Sequence, residues 1–232
     1  MDFQNRHVVV TGGIGALGLA VVEGFLRSGA ELHVPYLHAA EAERFPLRGS
    51  ARVHLSGPVD LASEAEVTRF YATLPALWAS VHLAGGFAMG GIAETDRAAL
   101  MHQLEMNFVS CFLCCRSAAI AMRTGDGGRI VNVSARPALE PRTGAGMSAY
   151  AASKAAVAAL TQALGEELAR DGILVNAIAP SILDTPANRA AMPTAKHELW
   201  PKVGEVAATI LFLASAENRV TRSAVVPVYG RS

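Results

Sequence analysis

The sequence predicts an α/β domain in which a parallel sheet of about seven strands is covered by helices on both faces. Three observations carry this. Apolar runs alternate with amphipathic helical stretches along all 232 residues. The runs are continuous and rich in β-branched residues, without the polar alternation of a strand that faces water, so both of their faces are buried. Helical stretches separate the runs, and that βαβ order produces parallel strands in a doubly wound sheet.

In chain order, HVVVT (7–11) reads as the first strand and ALGLAVVEGFLRSGA as a helix ending near Gly29. ELHVP (31–35) and RVHLS (52–56) are the second and third strands, and SEAEVTRFYATL is the helix after them. SVHLAG (80–85) is the fourth strand, followed by a long helix over roughly 95–122. RIVNVS (129–134) is the fifth strand, and the alanine-rich helix spans 148–170. ILVNAIA (173–179), a helix in GEVAATILFLAS and a last strand SAVVPVY (223–229) complete the series. Composition does not break anywhere, so residues 1–232 read as a single domain.

Apolar residues make up 51% and charged ones 17%, with twenty basic residues against twenty acidic ones. No Lys/Arg run stands out, which argues against a nucleic-acid surface or a polybasic membrane patch. The start shows no apolar core with a small-residue cleavage site, and no uninterrupted apolar run reaches spanning length. A cytoplasmic protein is expected. Cys111, Cys114 and Cys115 lie midway along a helix in SCFLCCRSAAIAM, away from the helix N-terminus that favours a thiolate, and read as packing residues. The seven histidines show no ligand spacing, so no metal is predicted.

Sheets of this type bind ligands beyond the carboxyl ends of their strands. There the first strand runs into VVVTGGIGALG, which brings Thr11, Gly12, Gly13, Ile14, Gly15, Ala16, Leu17 and Gly18 into a strand-to-helix turn. Glycine permits the turn and the approach of a pyrophosphate, and the helix N-terminus offers unpaired N–H groups. Asp60, in SGPVDL, reads either as an acceptor for an adenine amino group or as a helix cap. Tyr150 and Lys154 stand four apart on the alanine-rich helix and so share a face. An ammonium beside a phenol lowers a pKa that is ordinarily ~10, which suits Tyr150 to proton transfer.

Thr11-Gly12…Gly18, Asp60, Ala84-Gly85-Gly86, Asn107, Tyr150-x-x-x-Lys154 and Pro180-x-x-x-x-Thr185 occur in the order found in short-chain dehydrogenases/reductases. The chain resembles that family over essentially its whole length. The resemblance implies a single Rossmann-type domain, commonly a homotetramer or dimer, that binds NAD(P)(H). It implies hydride transfer between nicotinamide and a small carbonyl or alcohol substrate, with Tyr150 as general acid/base and Lys154 also holding the nicotinamide ribose. Asn107 then supports a water-linked proton path, or is simply a buried amide satisfied by backbone. Leu61 beside Asp60 and the Ala84-Gly85-Gly86 turn lie against the cofactor, with Pro180, the Ile182 backbone and the Thr185 hydroxyl at the carboxamide.

Departures from the family pattern matter too. The second glycine of the usual loop is Ala16, and the asparagine of the usual Asn-Ala-Gly is Leu83. The usual Ser-Ser pair is Ser134-Ala135, so Ser134 either donates a hydrogen bond in catalysis or the site lacks that serine. GGIGALG, AGGFAMGG and DTPANRAAMPTAKHELW resemble quinonoid dihydropteridine reductase, which keeps that activity as an alternative. A dinucleotide-binding sensor with decayed catalysis is the other.

At the end of the second strand stand Tyr36 and Leu37, neither a carboxylate nor an arginine, with His38 the only polar neighbour, so NAD versus NADP stays open. Residues 186–200 form a candidate substrate lid. Phe87, Met89, Met147, Leu183, Met192 and Trp200 are candidates for an apolar substrate wall, and Arg136 and Arg142 for meeting an anionic group or lying solvated.

Overall fold

The computed structural model describes residues 1–125 and 127–232. Seven strands form one parallel sheet: β1 (His7–Thr11), β2 (Glu31–Pro35), β3 (Val53–Ser56), β4 (Leu77–His82), β5 (Gly128–Val133), β6 (Ile173–Pro180) and β7 (Val225–Val228). Their order is β3-β2-β1-β4-β5-β6-β7, so the chain reverses its direction of travel between β1 and β4. The helices are α1 (Ala16–Arg27), α2 (Ala39–Arg44), α3 (Glu64–Ala72), α4 (Arg97–Leu104), α5 (Ser110–Met122), α6 (Arg136–Leu139), α7 (Ser148–Glu167), α8 (Pro186–Ala191) and α9 (Val203–Ala214).

The valine runs form strands because each successive side chain finds a different covered face. On β1, Val8 and Val10 pack with Val21, Val22 and Phe25 of α1 and Ile210 and Leu213 of α9. Val9 points the other way, into a core shared with Phe70 of α3, Cys114 and Ala118 of α5 and Val157 of α7. All of these are buried.

β1 and β2 match the expected ranges residue for residue. β4 begins three residues earlier than expected, because Leu77 and Ala79 pair with His7 and Val8 across an irregularity in the ladder. The long helix is also different in kind. Asp96 caps α4 through the amide of Ala99 at 2.8 Å, but residues Glu105–Val109 widen into a π-helical turn before α5 resumes. No propensity pattern signals such a turn. Arg97–Met122 is long and apolar enough, by length and composition, to cross a membrane; half of its most apolar window is buried inside this fold.

Candidate active site

The carboxyl ends of β1, β2, β3 and β4 open on a cleft of about 840 Å³. Its floor is the glycine turn. Gly12 adopts φ +65°, and a Cβ there would stand 2.6 Å from the amide nitrogen of Ala84. A Cβ on Gly18 would run into the carbonyl oxygen of Gly12, so α1 leaves the turn as tightly as backbone allows. Gly15 is the N-cap of α1 and provides no side-chain hydrogen bond, which leaves the first-turn amides free for an acceptor. A backbone cradle with uncapped N–H groups fits an anionic diphosphate.

Gly12, Ile14, Gly15, Tyr36, Asp60, Leu61, Ala84 and Gly85, all expected at the cofactor, line this cleft. Asp60 is not the cap of α3; Ser63 is, through the Glu66 amide. Its carboxylate instead accepts from the Ala62 amide at 2.9 Å, within the loop that borders the cleft. The sequence reading missed two charged lining residues, Glu41 and Arg44 of α2. His38 is therefore not the only polar group beyond β2, a correction with a simple cause. AAEAER has no buried face to create a periodic signal, because all of α2 lies on the surface side.

The loop after β4 ties the glycine turn to the helices behind it. The Ala84 amide donates to Thr11 Oγ1 at 3.3 Å. A Cβ on Gly85 would stand 2.6 Å from Asn107 Oδ1 and 3.3 Å from Lys154 Nζ. The Phe87 ring packs edge-on against the Tyr150 ring, with centroids 5.0 Å apart and planes at 85°. Asn107, Lys154 and Tyr150 thus meet around one loop at the cleft end of the sheet.

Several expectations need correction at this level. Asn107 sits in the π turn, and its amide closes a pair of bonds with Gly86: Oδ1 accepts from the Gly86 amide at 3.1 Å and Nδ2 donates to the Gly86 carbonyl at 3.0 Å. That is the backbone-satisfied arrangement, and it clamps the loop. The Ser134 hydroxyl is 1% exposed and donates to the Lys154 carbonyl at 2.8 Å. It therefore holds α7 against the end of β5. The Lys154 ammonium donates to the Val133 carbonyl at 3.0 Å, and burial lowers its pKa to about 8. Burial raises the Tyr150 phenol to about 12. The expected lowering by Lys154 is not found: burial shifts the phenol upward and is the main cause of the shift in Lys154, whose ammonium is engaged by β5 backbone.

Beyond β6, Ile182 is 42% exposed, while Thr185 Oγ1 accepts the α8 capping bond from Asn188 at 3.2 Å. Trp200 leaves the candidate substrate wall. It is 7% exposed and packs on His197 with ring centroids 4.6 Å apart. Arg136 pairs with Glu140 at 2.9 Å and lies over the Tyr229 ring, so its charge is spent locally.

One cluster had no signature in residue spacing. His82, Cys111 and Cys115, all buried, bring ligand-type atoms within 4.8 Å of one another. The three thiols are free and lie in the core, as packing residues should. The imidazole joins a chain of bonds from Tyr71 through Ser80 and His82 to Asn132 and Thr161, each 2.8–2.9 Å long.

Residues 6–196 match the model of the short chain dehydrogenase family. The chain is 31% identical over 234 residues to the 2,3-dihydro-2,3-dihydroxybenzoate dehydrogenase of Escherichia coli, covering 93% of this chain and 92% of that protein. It is 31% identical over 246 residues to the galactitol 2-dehydrogenase of Rhizobium johnstonii, covering 97% and 94%. The solved structure of a short-chain type dehydrogenase/reductase from Mycobacterium ulcerans superposes with a TM-score of 0.89 at 26% identity, over 99% of this chain and 90% of that one. The chain belongs to the short-chain dehydrogenase family and is an NAD(P)-dependent oxidoreductase.

Proposed function

We propose that the chain interconverts a small carbonyl compound and its alcohol, with Tyr150 exchanging the proton, and that it works as a cytoplasmic homo-oligomer. The observation that carries the catalytic part is the convergence of Tyr150, Lys154 and the Gly85–Phe87 loop at the end of the cleft floored by the glycine turn.

When bound, the dinucleotide supplies or accepts the hydride at its nicotinamide. Every other task falls to groups of this chain. The backbone from Thr11 through Gly18 would hold the diphosphate, and Tyr36, Asp60, Leu61, Ala84, Gly85, Gly86, Pro180, Ile182 and Thr185 would hold the rest of the dinucleotide. A phenol with a pKa of about 12 is a neutral acid at pH 7, and among the described residues its hydroxyl has no hydrogen-bond partner. It is free to give its proton to a carbonyl oxygen as negative charge develops there; in the reverse direction the phenolate left by that transfer takes the proton of the alcohol. Lys154, whose pKa is about 8, is mostly cationic at pH 7, and its charge stabilises that oxygen. Asn107 and Ser134 are positioning residues: one fixes the Gly86 loop and the other the α7 backbone at Lys154.

Tyr150→Phe is expected to lower kcat by about 10²–10⁴ with dinucleotide affinity retained. Steady-state assays with NADH and NADPH over a panel of ketones, alcohols and quinonoid dihydropterin, beside calorimetric cofactor titration, measure both. Wild-type turnover in Tyr150→Phe removes the assignment.

The oligomer is supported by apolar side chains that point outward on neighbouring helices. Phe112 and Ile120 of α5 are 43% and 54% exposed, and Ala155 and Ala159 of α7 are exposed beside them. Ala118, Ala119 and Ala158 of the same two helices face the core and are buried. A cytoplasmic setting agrees with three free cysteines.

A further inference from the structure

The loop between β4 and α4 carries an arch, Phe87-Ala88-Met89, fixed at both feet. At one foot Asn107 clamps both backbone groups of Gly86. At the other the Gly90 amide donates to the Gly146 carbonyl at 2.9 Å, and Gly90 bridges to Met147 three residues before Tyr150. A loop held this way does not collapse to hide its side chains. Phe87 is 58% exposed and Met89 68%, although the Phe87 ring also touches the ring of Tyr150. Ile182, beyond β6, is a further exposed apolar residue.

None of these side chains carries a hydrogen-bond donor, and the Met89 sulfur is their one acceptor, a weak one. A substrate selected by its hydroxyl pattern needs polar groups placed to read that pattern, because discrimination by hydroxyl comes from buried partners left unpaired in the wrong complex. The ring packed on that of Tyr150 is itself aromatic and more than half exposed, and its preferred neighbour is another ring, offset or edge-on. We infer that the substrate carries an aryl group next to the reacting carbon and that Phe87 receives this group, so the enzyme acts on aryl ketones or the matching aryl carbinols rather than on open-chain polyols. This rests on the assignment of Tyr150 as the proton-transferring group.

The test compares kcat/KM for acetophenone with that for propanone, and for 1-phenylethanol with that for an open-chain hexitol, in wild type and Phe87→Ala. The wild type is expected to favour the aryl member of each pair by at least about tenfold, and Phe87→Ala to lower that ratio by about tenfold, chiefly through KM. Phe87→Leu is expected to restore part of it. Binding is read separately by calorimetry on cofactor-saturated Tyr150→Phe, where added Phe87→Ala should weaken acetophenone at least about fivefold. Faster turnover of the hexitol, an unchanged aryl preference in Phe87→Ala, or a change confined to sedimentation overturns the inference. A wild type that binds acetophenone through Phe87 but turns over neither pair keeps the aryl-binding role of Phe87 and defeats the catalytic assignment on which the turnover of aryl substrates rests.

Discussion

Lys154 is 6% exposed, and among the described residues its ammonium makes one hydrogen bond, to a backbone carbonyl, with burial lowering its pKa from 10.5 to about 8. An unfolded lysine keeps its proton up to its ordinary pKa. Between about pH 8 and 10.5 the unfolded chain therefore holds a proton that the folded chain has released, and stability rises with pH through that window. At pH 7 both states are protonated and the buried charge destabilises the fold. Lys154→Met is expected to raise the urea midpoint at pH 7, with the gain shrinking toward pH 10.5, while turnover falls at least about 10²-fold. Urea titrations at pH 7, 9 and 10.5 alongside kcat measure this, and a midpoint lowered at pH 7 contradicts the account. A charge kept where it weakens the fold is the expected sign of a functional residue.

At the scale of elements, the site depends on how closely three backbones approach. β1 turns into α1 only because Gly12 accepts φ +65° and has no Cβ to meet Ala84 in the loop after β4. Gly12→Ala is expected to lower stability by about 1–2 kcal/mol from the left-handed backbone alone. It also pushes the β4 loop outward, so dinucleotide affinity should fall at least about tenfold. Denaturation and calorimetry read the two effects, and an alanine variant with wild-type affinity would show that the close approach is dispensable. Behind this turn, the Tyr71–Ser80–His82–Asn132–Thr161 chain links α3, β4, β5 and α7 with its members satisfied. Such a chain fixes one register between strands and helix, and with it the position of Lys154 about two turns earlier on α7.

Across the whole molecule, the outward faces of α5 and α7 present Phe112 and Ile120 beside small alanines. Two copies packing these helices together would bury that surface at close range. Phe112→Glu combined with Ile120→Glu is expected to lower the sedimentation coefficient toward that of a monomer, and a monomeric wild type would refute the oligomer outright. Both side chains are exposed, so the double variant should keep its fold and its cofactor affinity.

The sequence by itself determined the strands, their parallel arrangement, the glycine turn after β1 and the Tyr150–Lys154 pair, because hydrophobic periodicity, glycine placement and i,i+4 spacing are local properties. Tertiary structure alone decided the rest. It clamped Asn107 onto Gly86, turned Ser134 back to the Lys154 carbonyl, buried Trp200, brought Glu41 and Arg44 to the cleft and gathered His82 with Cys111 and Cys115. A side chain's partners lie tens of residues away along the chain, and its pKa follows from how much water the assembled neighbours exclude. For Tyr150 that exclusion raises the phenol, while the Lys154 ammonium is turned to the Val133 carbonyl.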